Sequence, residues 1–186
     1  MDKPAAGALA LTGLAIGDPY LAGLGLAGGT AATVTSRAIG LDEASTDNGL
    51  MGYNGVLVGC AFSQFLAVSP PAALAATVAG AAATAPLAAA LKPLCGRVPQ
   101  WTLAFNMAML SALTYTKPFA DAVPGPPATL DSDLDVINAV LDTPFVGLSQ
   151  IFVVDNAVAG NVIALGLLWQ QPSWAIHAVG PNYHSV

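Results

Sequence analysis

From Pro70 to Leu91 the chain runs for 22 residues without a charged side chain, between Ser69-Pro70-Pro71 and Lys92-Pro93. A helix of that length rises about 33 Å at 1.5 Å per residue, enough to cross the roughly 30 Å hydrocarbon layer of a bilayer. Shorter versions of the pattern flank it. Apolar sequence runs from Tyr20 to Ile39 after the breaker Gly17-Asp18-Pro19, and from Gly49 to Val68 after the polar loop 42–48. Another segment runs from Trp101 to Tyr115, entered through Pro99, and one from Val158 to Trp169, broken by Gln170-Gln171-Pro172. Residues 4–16 are apolar but too short to span alone.

Only 9% of the residues are charged, against about 25% in an ordinary soluble domain. The chain therefore reads as an all-α integral membrane protein, a multi-span helical bundle. Its Ala, Gly and Leu content favours helices packed closely through small residues, whereas a barrel would show short alternating segments. Five Lys and Arg in a chain of net charge −6 cannot form the clustered basic face that nucleic acid requires. Cys60 and Cys95 stand apart in apolar sequence and read as buried thiols. The sequence holds no Gly-rich phosphate loop with its Lys and no Ser/His/Asp or Cys/His constellation, and Pro181 separates His177 from His184. The expectation is no enzyme, no cofactor and no metal.

If the spans alternate, Arg37, Lys92 and Arg97 share one side, which the positive-inside rule makes cytoplasmic. The Pro- and Asp-rich loop 117–141 then faces outward, with Lys117 as the exception.

The end of the chain restarts the pattern of its beginning. Gly7 and Pro19 are repeated by Gly160 and Pro172, Gly13-Leu14 by Gly166-Leu167, and Ala22 by Ala175, all at an offset of 153. This is the signature of a tandem repeat. At that offset the counterpart of Gln150 would fall before Met1, and second copies of the central motifs would fall past Val186. The chain thus reads as one period plus an overlap, incomplete at both ends. The expected division is 1–116 for the membrane helices of the first repeat, 117–141 for an extramembrane linker, and 142–186 for the start of the second.

Polar groups at membrane depth need a reason, because an unpaired amide or hydroxyl there costs roughly 2 to 7 kcal/mol. The run Gly147-Leu148-Ser149-Gln150-Ile151-Phe152-Val153-Val154-Asp155-Asn156 carries several. Residues 144–156 are too short to cross, so they are expected to form a re-entrant pore helix lined by protein or a cavity. Gly52-Tyr53-Asn54-Gly55 reads either as a turn or as a helix whose glycines admit a neighbour and whose Asn54 bonds across helices.

These motifs together carry a resemblance. Gly49 to Gly59, with Gly-Tyr-Asn-Gly at its centre, looks like a segment of the urea transporter family. Val98-Pro99-Gln100-Trp101-Thr102-Leu103-Ala104-Phe105-Asn106 is similar to the Leu-Pro-x-x-Thr-x-Pro-Phe-Asn box of that family, with Val98 for Leu and Ala104 for the second Pro. The Gly147–Asn156 run, followed by Gly160 and Gly166-Leu167-Leu168, resembles its pore-helix motif, although residues 157–159 lack the usual Pro-Leu-Ser. The resemblance implies two inverted repeats around a pore, a homo-oligomer (a trimer) in the lipid bilayer of the plasma membrane, and passive transport of urea or a small neutral amide. The alternative expectation is a truncated, non-transporting membrane polypeptide that associates with related full-length subunits.

Urea is planar and neutral, with N–H donors and one carbonyl acceptor. A channel must replace its water with bonds weak enough to release it. Gln150 and Thr102 supply neutral oxygens, and the matching family positions contribute to a row of acceptors. Tyr53 and Phe152 are the candidates for flat apolar walls, with Ile151 lining nearby and Phe105 less suited. Asn54, Asn106 and Asn156 are expected to be structural, and Asp155 either caps a helix or reaches the interface.

Overall fold

The computed structural model describes residues 4–66, 68–95, 100, 102–116 and 149–170. Among them every regular element is a helix: α1 (Pro4–Gly17), α2 (Pro19–Ala38), α3 (Glu43–Asp47), α4 (Leu50–Phe65), α5 (Pro70–Cys95), α6 (Leu103–Thr116) and α7 (Ala157–Gln170). Arg97, the loop 117–141, residues 144–148 of the expected re-entrant helix, His177 and His184 lie outside the described residues.

Prolines set the starts. Pro4, Pro19 and Pro70 each occupy the first helical position, where the missing N–H removes no intrahelical bond and the fixed φ suits the helix. α2 ends in a Schellman motif: Gly40 at φ 68°, with the Gly40 N–H donating to Arg37 O (3.2 Å) and the Leu41 N–H to Ser36 O (3.0 Å). Asp42 caps α3 by accepting the Ser45 N–H at 2.9 Å, and the buried hydroxyls of Ser36 and Thr46 bond at 2.7 Å, tying α2 to α3. The exposed Arg37–Asp47 ion pair adds at most about 1 kcal/mol.

Span lengths differ from the sequence expectation. Only α5 among the described helices is both long and apolar enough to cross a bilayer unaided. α2 has 20 residues, but its Gly, Thr, Ser and Arg lower its hydropathy. α4 stops at Phe65, and its 16 residues rise only about 24 Å. Within α5, Pro86 and Pro93 each lack the N–H that would bond one turn back.

The described residues form two compact units, one of α1 with residues 149–170 and one of α2 to α6. In the first, α1 packs on α7. Both helices have 14 residues, and each position of α1 has its counterpart 153 positions on. The packing is reciprocal. A Cβ on Gly13 would meet Ala159 O at 2.7 Å and Ile163 Cγ1 at 2.9 Å. A Cβ on Gly166, the counterpart of Gly13, would meet Ala6 O at 3.0 Å and Ala10 N at 3.7 Å, and Ala6 and Ala10 are the counterparts of Ala159 and Ile163. Such i-to-j, j-to-i contact is what a two-fold relation between equivalent elements produces.

In the second unit, α2 and α4 touch backbone to backbone. Gly28 lies against Gly55 O, Gly55 against Gly28 O, and Gly59 against Leu24 O, each too close for a Cβ. The Gly-Tyr-Asn-Gly segment is therefore helical, not a turn, and its glycines admit α2. α4, with Leu66 just past its end, also packs Val58, Ala61 and Phe62 with Ala81 of α5 and Met109 of α6, where Phe105 also packs. Cys60 is fully buried near α2, whereas Cys95 is partly exposed at the end of α5.

Candidate functional site

The candidate residues fall on the two units. Tyr53, Asn54, Thr102 and Asn106 belong to the second, where α4 meets the start of α6. Gln150, Ile151, Phe152 and Asn156 belong to the first.

Thr102 is the N-cap of α6, its carbonyl accepting the Asn106 N–H at 2.9 Å. An N-cap side chain ordinarily accepts an N–H of the first turn. Here Asn54 reaches over from α4 instead, its Oδ1 accepting the Phe105 N–H at 3.1 Å. Asn54 is only 4% exposed, so this bond satisfies a buried amide and one of the orphan donors of α6 at once. It joins two of the sequence motifs across 51 positions. The Thr102 hydroxyl is thereby released from the capping role. It accepts from Asn106 Nδ2 at 3.2 Å. Thr12, Thr30, Thr33, Ser111 and Thr114 behave differently, each donating to the carbonyl four residues back. Gln100 Nε2 donates to Ala88 O at 3.0 Å, holding the approach to α6 against α5. Tyr53, one residue before the buried Asn54, turns outward and is 37% exposed.

In the first unit the expected helix through 156 is corrected. Helix ends at Gln150, residues 151–153 form a turn, and residues 154–156 are extended or irregular. The Phe152 N–H donates to Ser149 O and the Val153 N–H to Gln150 O, both at 2.9 Å. Val153 then takes φ 63°, a left-handed conformation that is strained for a β-branched residue.

Ser149 holds this reversal. Fully buried, its hydroxyl donates to Val154 O at 2.7 Å and accepts the Asn156 N–H at 3.4 Å. Asn156, rather than Asp155, caps the next helix, its Oδ1 accepting the Ala159 N–H at 2.9 Å. Asp155 is exposed. The reversal leaves Gln150 and Ile151 exposed and Phe152 half-buried, while Val154 is buried beside Gly17 of α1.

Ser149 is the residue that sequence reasoning passed over. Its sequence signal was slight, a hydroxyl among apolar residues with an Asn seven positions on. Gln100 had the signal of its place in the Pro-x-x-Thr box.

α4 and α6 contain no charged side chain, so the second cluster offers solutes only neutral donors and acceptors. That suits reversible hydrogen bonding to an uncharged polar solute and gives no counter-charge for an ion.

Comparisons with known proteins identify the family. The sequence profile of the family described as "Urea transporter" matches residues 1–184. Urea transporter 1 of Rattus norvegicus is 30% identical over 196 residues, covering 96% of this chain and 49% of the rat protein. Urea transporter 1 of Ovis aries is 29% identical over 194 residues, with the same shares. The chain spans about half the length of these curated relatives. This is a family of membrane transporters and not of enzymes, and with a match over almost all of its length the chain belongs to the urea transporter family.

Proposed function

We propose that this chain provides part or all of a passive pore through which urea, or a small neutral amide, crosses a membrane. The observation that carries the reading is the neutral polar cluster of Asn54, Thr102 and Asn106 on helices without charge. Desolvated urea loses its bonds to water, and each neutral replacement bond returns about 1 kcal/mol net. A carboxylate would favour cations and hold them too well. In this reading Thr102 and Gln150 offer oxygens to the solute, while Phe152, Ile151 and Tyr53 form apolar walls that select a flat molecule. Asn54 and Asn156 fix the backbone around them, and Asn106 holds the Thr102 side chain.

The reciprocal packing of α1 on α7 supports a pair of inverted repeats, with 1–116 in one, 142–186 opening the next, and 117–141 as an extramembrane linker. The same reading makes the protein a homotrimer of the plasma membrane, with Arg37, Lys92 and Arg97 cytoplasmic and loop 117–141 extracellular.

The test is stopped-flow urea flux into liposomes containing the purified chain, beside Gln150→Ala and Thr102→Val. The reading expects flux above empty vesicles that each substitution lowers. Flux no faster than bare lipid, from protein shown to be folded and inserted, would overturn it.

A further inference from the structure

We propose that Asn106 is a positioning residue that makes Thr102 a hydrogen-bond donor to the carbonyl of the permeating solute. The inference rests on the reading that Thr102 faces the solute. A threonine hydroxyl has one proton and two lone pairs. Asn106 Nδ2, 3.2 Å away, donates to one of the lone pairs. The hydroxyl proton cannot point toward that donor, so the rotor positions left to it aim elsewhere. Several helical hydroxyls of this chain place their proton on a carbonyl of their own helix, as Ser111 and Thr114 do on α6 itself. Thr102 instead sits at the start of α6, and the first-turn N–H that its oxygen would ordinarily accept is taken by Asn54.

Two asparagines thus divide the work. Asn54, buried in α4, fixes the first turn of α6, and Asn106, one turn into α6, fixes the sense of the hydroxyl. The Thr102 hydroxyl retains one proton and one lone pair for a solute. Accepting from an amide also polarises a hydroxyl toward stronger donation. The preferred solute therefore has a strong acceptor beside N–H donors, as the carbonyl of a urea or a primary amide does.

The test combines a double-substitution cycle with a spectroscopic readout on the full chain. In liposomes, Asn106→Leu is expected to lower urea flux roughly fivefold, the size of one neutral hydrogen bond. Thiourea flux should fall less, because sulfur accepts hydrogen bonds weakly. In a Thr102→Val background Asn106→Leu should have no further effect, because the residue through which Asn106 acts is gone. An equal loss in both backgrounds would overturn the inference while leaving Thr102 as a lining residue. No effect of Thr102→Val would overturn both.

NMR of the ¹⁵N-Asn-labelled chain in nanodiscs supplies the check that does not depend on flux or on the folding of the Leu variant. The Asn106 side-chain amide signal should shift as urea is titrated into the wild-type chain and stay still in Thr102→Val. A signal that ignores urea in the wild type, or that responds equally in both, would sink the proposal.

Discussion

The α2–α4 seam gives the sharpest energetic expectation. In Gly55→Ala the new methyl would lie 2.7 Å from Ala32 Cβ and 2.9 Å from Gly28 C, and nearer still to Gly28 O. Two of these are backbone atoms, so no side-chain rotation relieves the clash. Carbon and oxygen settle at about 3.3 Å or more even in weak Cα–H···O contacts, so the helices must part by roughly 1 Å. Overpacking of this kind costs about 1–3 kcal/mol, and a gap of that size also forfeits about a quarter to a half of each contact along the seam. Alanine returns about 0.5–1 kcal/mol through its better helix propensity. The net expectation is destabilisation of about 2 kcal/mol.

Gly23→Ala, on α2, is the matched control, since a Cβ there meets nothing within 4 Å. It should stabilise by about 0.5–1 kcal/mol. Cys60, fully buried and 3.0 Å from the Cβ position of Gly25, reports opening of the seam. In detergent, with Cys95→Ser to silence the second thiol, maleimide labelling of Cys60 across a denaturant series measures both variants. The midpoint should fall for Gly55→Ala and rise slightly for Gly23→Ala. Equal midpoints would refute the claim that backbone contact, rather than glycine content, makes this seam.

Ser149→Ala removes the buried hydroxyl that bonds Val154 O and should cost about 1–3 kcal/mol, the penalty of an unsatisfied buried acceptor; faster hydrogen exchange confined to 151–156 is the readout. Gly13→Val and Gly166→Val should weaken the α1–α7 contact to similar degrees, because each faces the equivalent backbone of the other helix; thermal unfolding of the two variants checks the reciprocity. The Ser45 hydroxyl, and then the Ser45 N–H, hold the exposed Asp42 carboxyl below its ordinary pKa. Its folded-state pKa lies below the unfolded value, so its contribution is present above the unfolded pKa and lost as pH falls through the folded one. Protection of the Ser45 amide should decline over that acidic window in the wild-type chain and show no such step in Asp42→Ala.

Much of the helix order was legible because a bilayer protein writes it in two simple signals, uncharged length and proline. Pro19 and Pro70 mark helix starts, and the repeat of Gly7, Gly13 and Leu14 at 153 positions identifies the two helices that pack reciprocally. Other features were not legible. The break after Gln150 occurs between Leu148 and Ala159, a stretch with no Gly or Pro, because the left-handed turn is made by Val153 and stabilised by Ser149. Nothing local marks a valine for that conformation, which only surrounding contacts can maintain. The cap on α6 was hidden for a related reason: its acceptor is not the N-cap residue but Asn54, on another helix.

The sequence by itself determined that this chain suits a bilayer, where its proline-led helices begin, and which family its ordered motifs belong to. These depend on hydropathy, on proline geometry and on residue identities in order, all of which are local. Only the tertiary structure decided which glycines meet backbone, which asparagine satisfies which amide, and which way the Thr102 hydroxyl is held. Those depend on the approach of helices distant in sequence, and a buried polar group finds its partner only once that approach has been made.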